Sequence, residues 1–217
     1  MNTQINNTYP FNLEISPDYL SIDQAQKALI MVHGRGGSAK DILTLGQYLD
    51  LKDFAVVAPE AANNSWYPQS FMADSKQNEP WLSAAIDTID KTVQTLNQAG
   101  ISLENIYFFG FSQGACLSLE YIARRAQRYG GAVAIIGGLI GKTIQLDNYK
   151  GDLQGTPVFI GTSNPDFHVP IERVYATVNI LQDLGAEVTL KEYPGFGHSI
   201  NQEELDLASQ LIFARQH

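Results

Sequence analysis

Short runs of apolar residues alternate with amphipathic stretches along most of the chain. Five of these runs are continuous and partly β-branched, which is typical of strands buried on both faces of a sheet. A sixth stretch, residues 188–193, is more polar and indicates a strand nearer the sheet edge. The five buried runs are residues 28–32, 54–58, 106–109, 133–136 and 158–160.

Amphipathic stretches between these runs predict helices. In residues 82–96 and 171–181, apolar side chains recur every three or four positions, so each helix would present one apolar face to the sheet. A further helix is expected over residues 115–129. The alternation predicts an α/β fold with helices on both faces of a mostly parallel central sheet. Two more helix starts are indicated by capping pairs, Ser38 with Asp41 and Asn201 with Glu204.

Length and composition point to one ordered domain. The chain has 217 residues, of which 44% are hydrophobic and 17% charged, and it shows no repeat or linker. A single domain over residues 1–217 is therefore expected. Residues 60–80 contain aromatic side chains but no clear periodicity, and a stretch of this kind is usually functional. We interpret this segment as a lid or a pocket wall.

Net charge and cysteine content exclude several classes of protein. The formal charge of −9 opposes binding to a phosphate backbone, so no nucleic-acid partner is expected. We find no apolar run long enough to span a membrane and no leader at the amino terminus, so a cytoplasmic location is expected. Cys116 is the single cysteine, which excludes an internal disulfide and a multi-cysteine metal site. No metal is expected.

The strongest local signal is the sequence GFSQG at residues 110–114. It stands between a predicted strand and a predicted helix, where glycines allow a sharp turn that exposes the central Ser112. The hydroxyl would lie at a helix amino terminus, which favours developing negative charge. A glycine-rich turn with a solvent-facing serine would carry the same motif, so the other members of a catalytic site decide between the two interpretations.

A serine nucleophile needs a base, and the base needs an acid to orient it. Of the four histidines, His198 has the best position, because it follows the last predicted strand through a glycine-containing loop. Asp166 also follows a predicted strand and lies between Ser112 and His198. Serine, aspartate and histidine in this order are typical of α/β-hydrolase sheets. We predict that Ser112, Asp166 and His198 form a catalytic triad.

Acyl transfer also needs hydrogen-bond donors for an oxyanion. The backbone N–H of Gln113 should be one of them, and the glycine-rich loop HGRGG at residues 33–37 should supply the other from Arg35. The Arg35 side chain is expected to face solvent, with binding of a substrate carboxylate as the alternative. Four aromatic residues could wall an apolar substrate pocket or belong to the core, namely Trp66, Tyr67, Phe71 and Trp81.

Together these motifs resemble the phospholipase/carboxylesterase family of serine hydrolases, which includes acyl-protein thioesterases and lies near the dienelactone hydrolases. The resemblance covers residue 27 to the carboxyl end and rests on HGRGG, GFSQGA, DFHVP at 166–170 and PGFGH at 194–198. It implies an α/β-hydrolase core, the Ser112–Asp166–His198 triad, and hydrolysis of esters or thioesters without a cofactor. Dienelactone hydrolases use a cysteine nucleophile where this chain has Ser112, and Cys116 is expected to be a buried small residue.

The sequence motifs do not decide which acyl substrates are preferred. Thioesterase relatives usually have leucine and aspartate at the positions of Arg35 and Gly37, which weakens the transfer of acyl-protein specificity to this chain. We expect a carboxylesterase for short-chain or aryl esters, with an acyl thioesterase or lysophospholipase as the alternative. A non-catalytic hydrolase-fold protein that binds a small ligand is the alternative from another class. A homodimer is possible through an exposed helix face.

Overall fold

The predicted apolar runs form the centre of a seven-stranded sheet in the computed structural model, which describes residues 12–214. The strand order is β1-β3-β2-β4-β5-β6-β7, and every neighbouring pair is parallel except β1 with β3. The mostly parallel sheet is therefore confirmed. The strands are β1 Leu13–Ile15, β2 Lys27–Val32, β3 Phe54–Pro59, β4 Ile106–Phe111, β5 Gly131–Ile135, β6 Pro157–Asn164 and β7 Glu187–Pro194.

Within residues 12–214, five α-helices flank the sheet. The two capping pairs are confirmed. The side chains of Ser38 and Asn201 accept the backbone N–H of the residue three positions on. The carboxylates of Asp41 and Glu204 in turn accept the backbone N–H of the capping residue. Single 3-10 turns and one π-helical turn, Ser209–Phe213, connect or extend these elements. The helices are α1 Ala39–Leu43, α2 Trp81–Gln98, α3 Gln113–Arg124, α4 Ile171–Asp183 and α5 Gln202–Ala208.

The predicted helix over residues 115–129 is wrong at its carboxyl end. Helix α3 stops at Arg124, and the chain then leaves helical geometry because tertiary hydrogen bonds compete for its backbone. Ala126 pairs with Gly151 in an isolated bridge, and the Tyr129 N–H donates to the Thr156 hydroxyl at 3.0 Å. These partners are distant in sequence, so local periodicity does not predict these contacts.

The order of the strands decides where a site can form. From β2 the chain crosses to β3 on one side, whereas β4 lies on the other side of β2. Because parallel crossovers are right-handed, α1 and α3 cover opposite faces of the sheet. The chain therefore leaves the carboxyl ends of β2 and β4 toward opposite faces, and open α/β sheets bind ligands at such a point.

The described residues do not extend to either terminus. The amino-terminal segment that carries the leader prediction lies outside residues 12–214, as does His217. Within this part of the chain, no helix is long and apolar enough to cross a membrane. Residues 60–80 contain two 3-10 turns, Ala62–Asn64 and Ser75–Gln77, and otherwise follow an irregular path into α2.

A buried carboxyl group caps the amino terminus of α5. Glu204 is 1% exposed and accepts the Asn201 N–H at 2.9 Å, while its side chain packs against the Cα of Gly161 on β6. Burial is the main cause that raises the pKa of Glu204 to about 7, with a smaller contribution from the charge of the nearby Glu203 and against the opposing effect of the Asn201 hydrogen bond. Folding therefore favours the protonated form of this carboxyl group.

We predict that this carboxyl group makes the protein less stable as the pH rises. Its contribution is fully present below the unfolded pKa of 4.5 and is lost as pH passes about 7, because the folded state binds the proton more tightly. The free energy of unfolding should fall by at most about 3 kcal/mol from this group over that range. Urea unfolding of the wild type and of Glu204→Gln at pH 5 and pH 8 measures it. An equal pH dependence in both proteins would contradict the assignment.

Candidate active site

Ser112 lies on a sharp turn between β4 and α3. Its backbone has φ 53° and ψ −116°, a conformation that L-residues rarely adopt and that costs about 1–3 kcal/mol. The glycines on either side make this turn possible. A Cβ on Gly114 would strike the Val32 carbonyl of β2, and a Cβ on Gly110 would strike the backbone of Gly114. The steric reason for the motif is therefore present in the fold.

The structure brings Ser112, His198 and Asp166 into one hydrogen-bonded chain. The Ser112 Oγ lies 2.8 Å from His198 Nε2, and His198 Nδ1 lies 2.9 Å from Asp166 Oδ2. With a proton on Nδ1 donated to the carboxylate, Nε2 is free to accept the serine hydroxyl proton. The geometry is that of a nucleophile, a base and an orienting acid.

The Asp166 carboxylate is buried and fully engaged. Its Oδ1 accepts the N–H groups of His168 and Val169 at 2.8 and 2.9 Å, and its Oδ2 accepts from His198. Burial alone raises the pKa of Asp166, but the hydrogen bonds from His198, His168 and Val169 outweigh it and lower the pKa below its usual value. The side chain therefore carries a fixed negative charge behind the imidazole.

The His198 ring is held between two other rings. Phe111 packs on it with ring centroids 5.5 Å apart, and His168 meets it edge to face at 4.9 Å. The loop that carries His198 is tied to β6 by the Gly197 N–H, which donates to the Ser163 hydroxyl at 2.8 Å. The imidazole is thus fixed by packing as well as by its hydrogen bonds.

His33 has a different environment from His198. It is buried, its Nδ1 lies 2.8 Å from the Gly34 carbonyl, and its Nε2 accepts the Ala61 N–H at 3.1 Å. Both ring nitrogens are occupied by backbone groups, so the ring braces the loop after β2 and cannot serve as a base for Ser112.

The two N–H groups predicted to bind an oxyanion are both unused. Gln113 is the first residue of α3, where the helix offers its N–H no acceptor. The Arg35 N–H donates to no acceptor among residues 12–214. The loop that carries it adjoins the nucleophile, since a Cβ on Gly34 would lie 3.5 Å from the Ser112 Cβ. Assignment of these donors to an oxyanion stays a prediction.

The Arg35 side chain is exposed, as expected, but its guanidinium group is not free. It donates to the Ser65 hydroxyl and to three backbone carbonyls at 2.7–3.0 Å. The carbonyls belong to Tyr67, Pro68 and Gln69. Because all four terminal N–H donors are engaged, bidentate binding of a substrate carboxylate would require this clamp to open. Arg35 therefore holds the loop of residues 65–69 in place.

Gln113 braces the same loop from the opposite side. Its side-chain Oε1 accepts the Trp66 N–H at 3.0 Å, and its Nε2 donates to the Tyr67 carbonyl at 2.8 Å. The two residues whose backbone N–H groups are candidate oxyanion donors thus also clamp the loop of residues 65–69 through their side chains.

A cavity of about 520 Å³ opens above Ser112. Its volume is within the range of small-molecule sites in proteins. Of the four aromatic residues predicted to wall it, Tyr67 and Phe71 do so. The neighbouring Pro68, Gln69 and Ser70 also line it and belong to the segment interpreted as a lid or a pocket wall. Three lining residues have no predicted role, namely Cys116, His168 and Val169. The lining is completed by Ser112, Arg35, Gln113 and His198.

Trp66 and Trp81 do not line this cavity. Trp66 belongs to the core, which is the alternative given for it, whereas Trp81 fits neither interpretation. The Trp66 ring is buried behind the site, where its Nε1 donates to the His33 carbonyl at 2.9 Å. Trp81 begins α2 and is 54% exposed, because the apolar face of that helix is formed by other residues. Composition alone does not distinguish an aromatic residue that faces a cavity from one that packs behind it.

Cys116 is buried one helical turn after Ser112. Burial raises the pKa of its thiol to about 12, so it is not a reactive thiolate at neutral pH. Across residues 12–214, no group of three or more His, Cys, Asp and Glu side chains could hold a metal ion.

The chain is similar in sequence and in structure to carboxylesterases and acyl-protein thioesterases. A sequence model described as phospholipase/carboxylesterase matches residues 19–214. A probable SOBER1-like carboxylesterase of Arabidopsis thaliana is 28% identical over 88% of this chain and 79% of its own length. Acyl-protein thioesterase 1 of Saccharomyces cerevisiae is 32% identical over 87% of this chain and 92% of its own. The crystal structure of a phospholipase/carboxylesterase from Dyadobacter fermentans superposes with a TM-score of 0.92, at 48% identity, over 95% of this chain and 98% of that one.

We predict that Arg35→Ala loosens the loop of residues 65–69 while the chain stays folded. Loss of the guanidinium clamp should cost about 1 kcal/mol of stability, because the side chain is exposed and its hydrogen bonds are replaced by water. Hydrogen exchange of the Trp66 and Gln69 amides should rise about tenfold, as local opening becomes easier. Arg128→Ala is the control, since this arginine makes a 3.4 Å contact with Gln154 far from the loop. Unchanged exchange in Arg35→Ala would show that the clamp is not needed.

Proposed function

This chain belongs to the phospholipase/carboxylesterase family, and from that premise we propose that it is a serine esterase that acts through Ser112, His198 and Asp166. Carboxylesterase-type hydrolysis is the activity of the family. The observation that carries the assignment of residues is the continuous chain of hydrogen bonds from Ser112 Oγ through both nitrogens of His198 to Asp166.

In the first half-reaction, His198 Nε2 takes the proton of Ser112 as Oγ attacks the ester carbonyl carbon. The tetrahedral oxyanion is bound by the N–H groups of Arg35 and Gln113, at the start of α3 where the helix dipole also favours negative charge. Imidazolium at His198 is stabilised by the Asp166 carboxylate. His198 then protonates the oxygen of the leaving alcohol, and the acyl group stays on Ser112.

In the second half-reaction, water replaces the alcohol. His198 removes a proton from the water as its oxygen attacks the acyl-enzyme carbonyl, and the same N–H groups bind the second oxyanion. Collapse of this intermediate returns the proton to Ser112 Oγ and releases the carboxylic acid. Every step uses side chains and backbone groups of this chain, and no cofactor takes part in the proposed reaction.

Short-chain or aryl esters are the proposed substrates. The cavity above Ser112 has a volume of about 520 Å³ and is bounded by the clamped loop, which leaves room for a compact acyl group. Thioester hydrolysis is a second candidate, because acyl-protein thioesterase 1 of Saccharomyces cerevisiae is 32% identical to this chain. The same nucleophile and oxyanion donors serve both reactions, and the acyl pocket decides between them.

We expect Ser112→Ala to abolish ester hydrolysis. Removal of a triad nucleophile lowers kcat by about 10⁶-fold, and Asp166→Asn should lower it by about 10⁴-fold because the imidazole loses its orienting anion. Initial rates on p-nitrophenyl acetate measure both effects. Ser118→Ala is a matched control, since Ser118 lies on α3 with a buried hydroxyl that has no partner within residues 12–214. Activity retained in Ser112→Ala would overturn the assignment.

Substrate class is tested with p-nitrophenyl esters of two to sixteen acyl carbons and with the matching acyl thioesters. We expect kcat/KM to be highest for the short acyl chains, because a long chain cannot fit inside the cavity. An optimum at long chains, or faster cleavage of the thioester than of the ester, would favour a thioesterase or lysophospholipase. If no substrate reacts and a fluorophosphonate probe leaves Ser112 unlabelled, the chain is a non-catalytic binding protein.

A further inference from the structure

A second, smaller cavity lies on the other side of the loop that carries Arg35. Its volume is about 220 Å³, which is too small for a whole ligand but sufficient for a part of one. Arg35 lines both this cavity and the larger one above Ser112. The two cavities therefore meet at the residue whose N–H is a proposed oxyanion donor.

The smaller cavity is mostly apolar. Ile42, Leu45 and Phe111 form its walls, and Gly34 and Gly37 leave its floor without side chains. Three polar residues complete the lining, and the side chains of all three are occupied elsewhere. The Arg35 guanidinium group donates to the loop of residues 65–69. His33 is bonded to the Gly34 carbonyl and the Ala61 N–H, and Asp41 accepts the N–H and hydroxyl of its capping partner Ser38.

This cavity also adjoins the proposed nucleophile and base. Gly34 lies so close to Ser112 that a Cβ there would be 3.5 Å from the serine Cβ and 3.3 Å from Phe111 Cδ1. The Phe111 ring in turn packs against His198, with centroids 5.5 Å apart. A group in the smaller cavity would thus contact Gly34 and Phe111, the residues that adjoin Ser112 and His198.

We propose that the cavity bounded by Gly34, Ile42, Leu45 and Phe111 binds the alcohol part of the ester, and that it takes a short, uncharged apolar alcohol. The inference rests on the proposed function. An ester carbonyl held at the Arg35 and Gln113 N–H groups has two substituents that point in different directions. The larger cavity receives the acyl substituent, and the smaller one receives the alkoxy substituent.

The first half-reaction explains why the smaller cavity receives the alkoxy substituent. The Ser112 Oγ–carbon bond forms and the carbonyl carbon–alkoxy oxygen bond breaks, while the proton from Ser112 passes through His198 Nε2 to that oxygen. The alcohol is therefore released beside His198, where Phe111 forms the cavity wall. The charged residues of the lining, Arg35 and Asp41, are both hydrogen-bonded to other parts of the chain, so the cavity favours an uncharged alcohol.

The test compares alcohol and acyl preferences in Leu45 variants. Methyl, propyl, butyl and benzyl acetates vary the alcohol, and p-nitrophenyl esters of increasing acyl length vary the acid. Leu45→Trp should lower kcat/KM for butyl and benzyl acetate at least about tenfold relative to methyl acetate, because the cavity is filled. Leu45→Ala should shift the preference toward larger alcohols. Relative rates along the acyl series should stay unchanged in both variants.

Leu43→Ala is the matched control. Leu43 is a half-buried leucine at the end of α1 that does not line this cavity, so its removal should not change the alcohol preference. Thermal unfolding of each variant separates a packing defect from altered specificity. Alcohol preferences that match wild type in the Leu45 variants, or a change along the acyl series instead, would overturn the inference and leave the esterase function standing.

A second test uses the wild type alone and measures capture of the acyl-enzyme by alcohols. When alcohols compete with water for the acyl-enzyme, a site for apolar alcohols predicts that butanol captures the acyl group at least about tenfold better than methanol at equal concentration. Equal capture of butanol and methanol would overturn the inference. Absence of any hydrolysis in the wild type would instead overturn the proposed function.

Discussion

The close approach of helix α3 to the ends of β2 and β4 is the constraint on which the rest of the site depends. Gly114 is the contact point, because any side chain there would strike the Val32 and His33 carbonyls. This contact forces the turn at Ser112 into its rare backbone conformation and places the loop after β2 directly beside it. The serine and the candidate oxyanion donors are therefore parts of one tightly packed unit, and their spacing does not depend on long flexible side chains.

Much of this arrangement could be predicted from the sequence, because its signals are local. The buried strands are marked by continuous apolar runs, and the capping pairs and the GFSQG turn are each contained in a few residues. Chain order then restricts which loops can meet at the carboxyl edge of a parallel sheet. Strand β1 was not predicted, because it has three residues and pairs antiparallel with the edge of β3.

What the sequence could not predict depends on contacts between distant residues. Trp66 and Trp81 are aromatic, as residues that line pockets often are. Trp66 nevertheless packs behind the loop after β2, and Trp81 is exposed. The Arg35 guanidinium finds its partners more than thirty residues away, in backbone carbonyls that have no sequence signature. Loop conformation decides these contacts, and residues 60–80 lack the periodicity from which a conformation could be inferred. Tertiary packing is therefore needed to distinguish wall, core and surface.

Two buried carboxylates show why the acid of the site stays ionised. The Asp166 side chain accepts two backbone N–H groups and the imidazole, and together these donors lower its pKa despite burial. At Glu204 burial prevails over the hydrogen bond from the Asn201 N–H, the neighbouring Glu203 opposes ionisation, and the pKa rises to about 7. Burial disfavours the charge of both groups, so the number and charge of the surrounding donors decide the outcome. Only a carboxylate with the first environment can hold a constant negative charge behind His198 at neutral pH, and the DFHVP loop provides it by turning its own N–H groups onto Asp166.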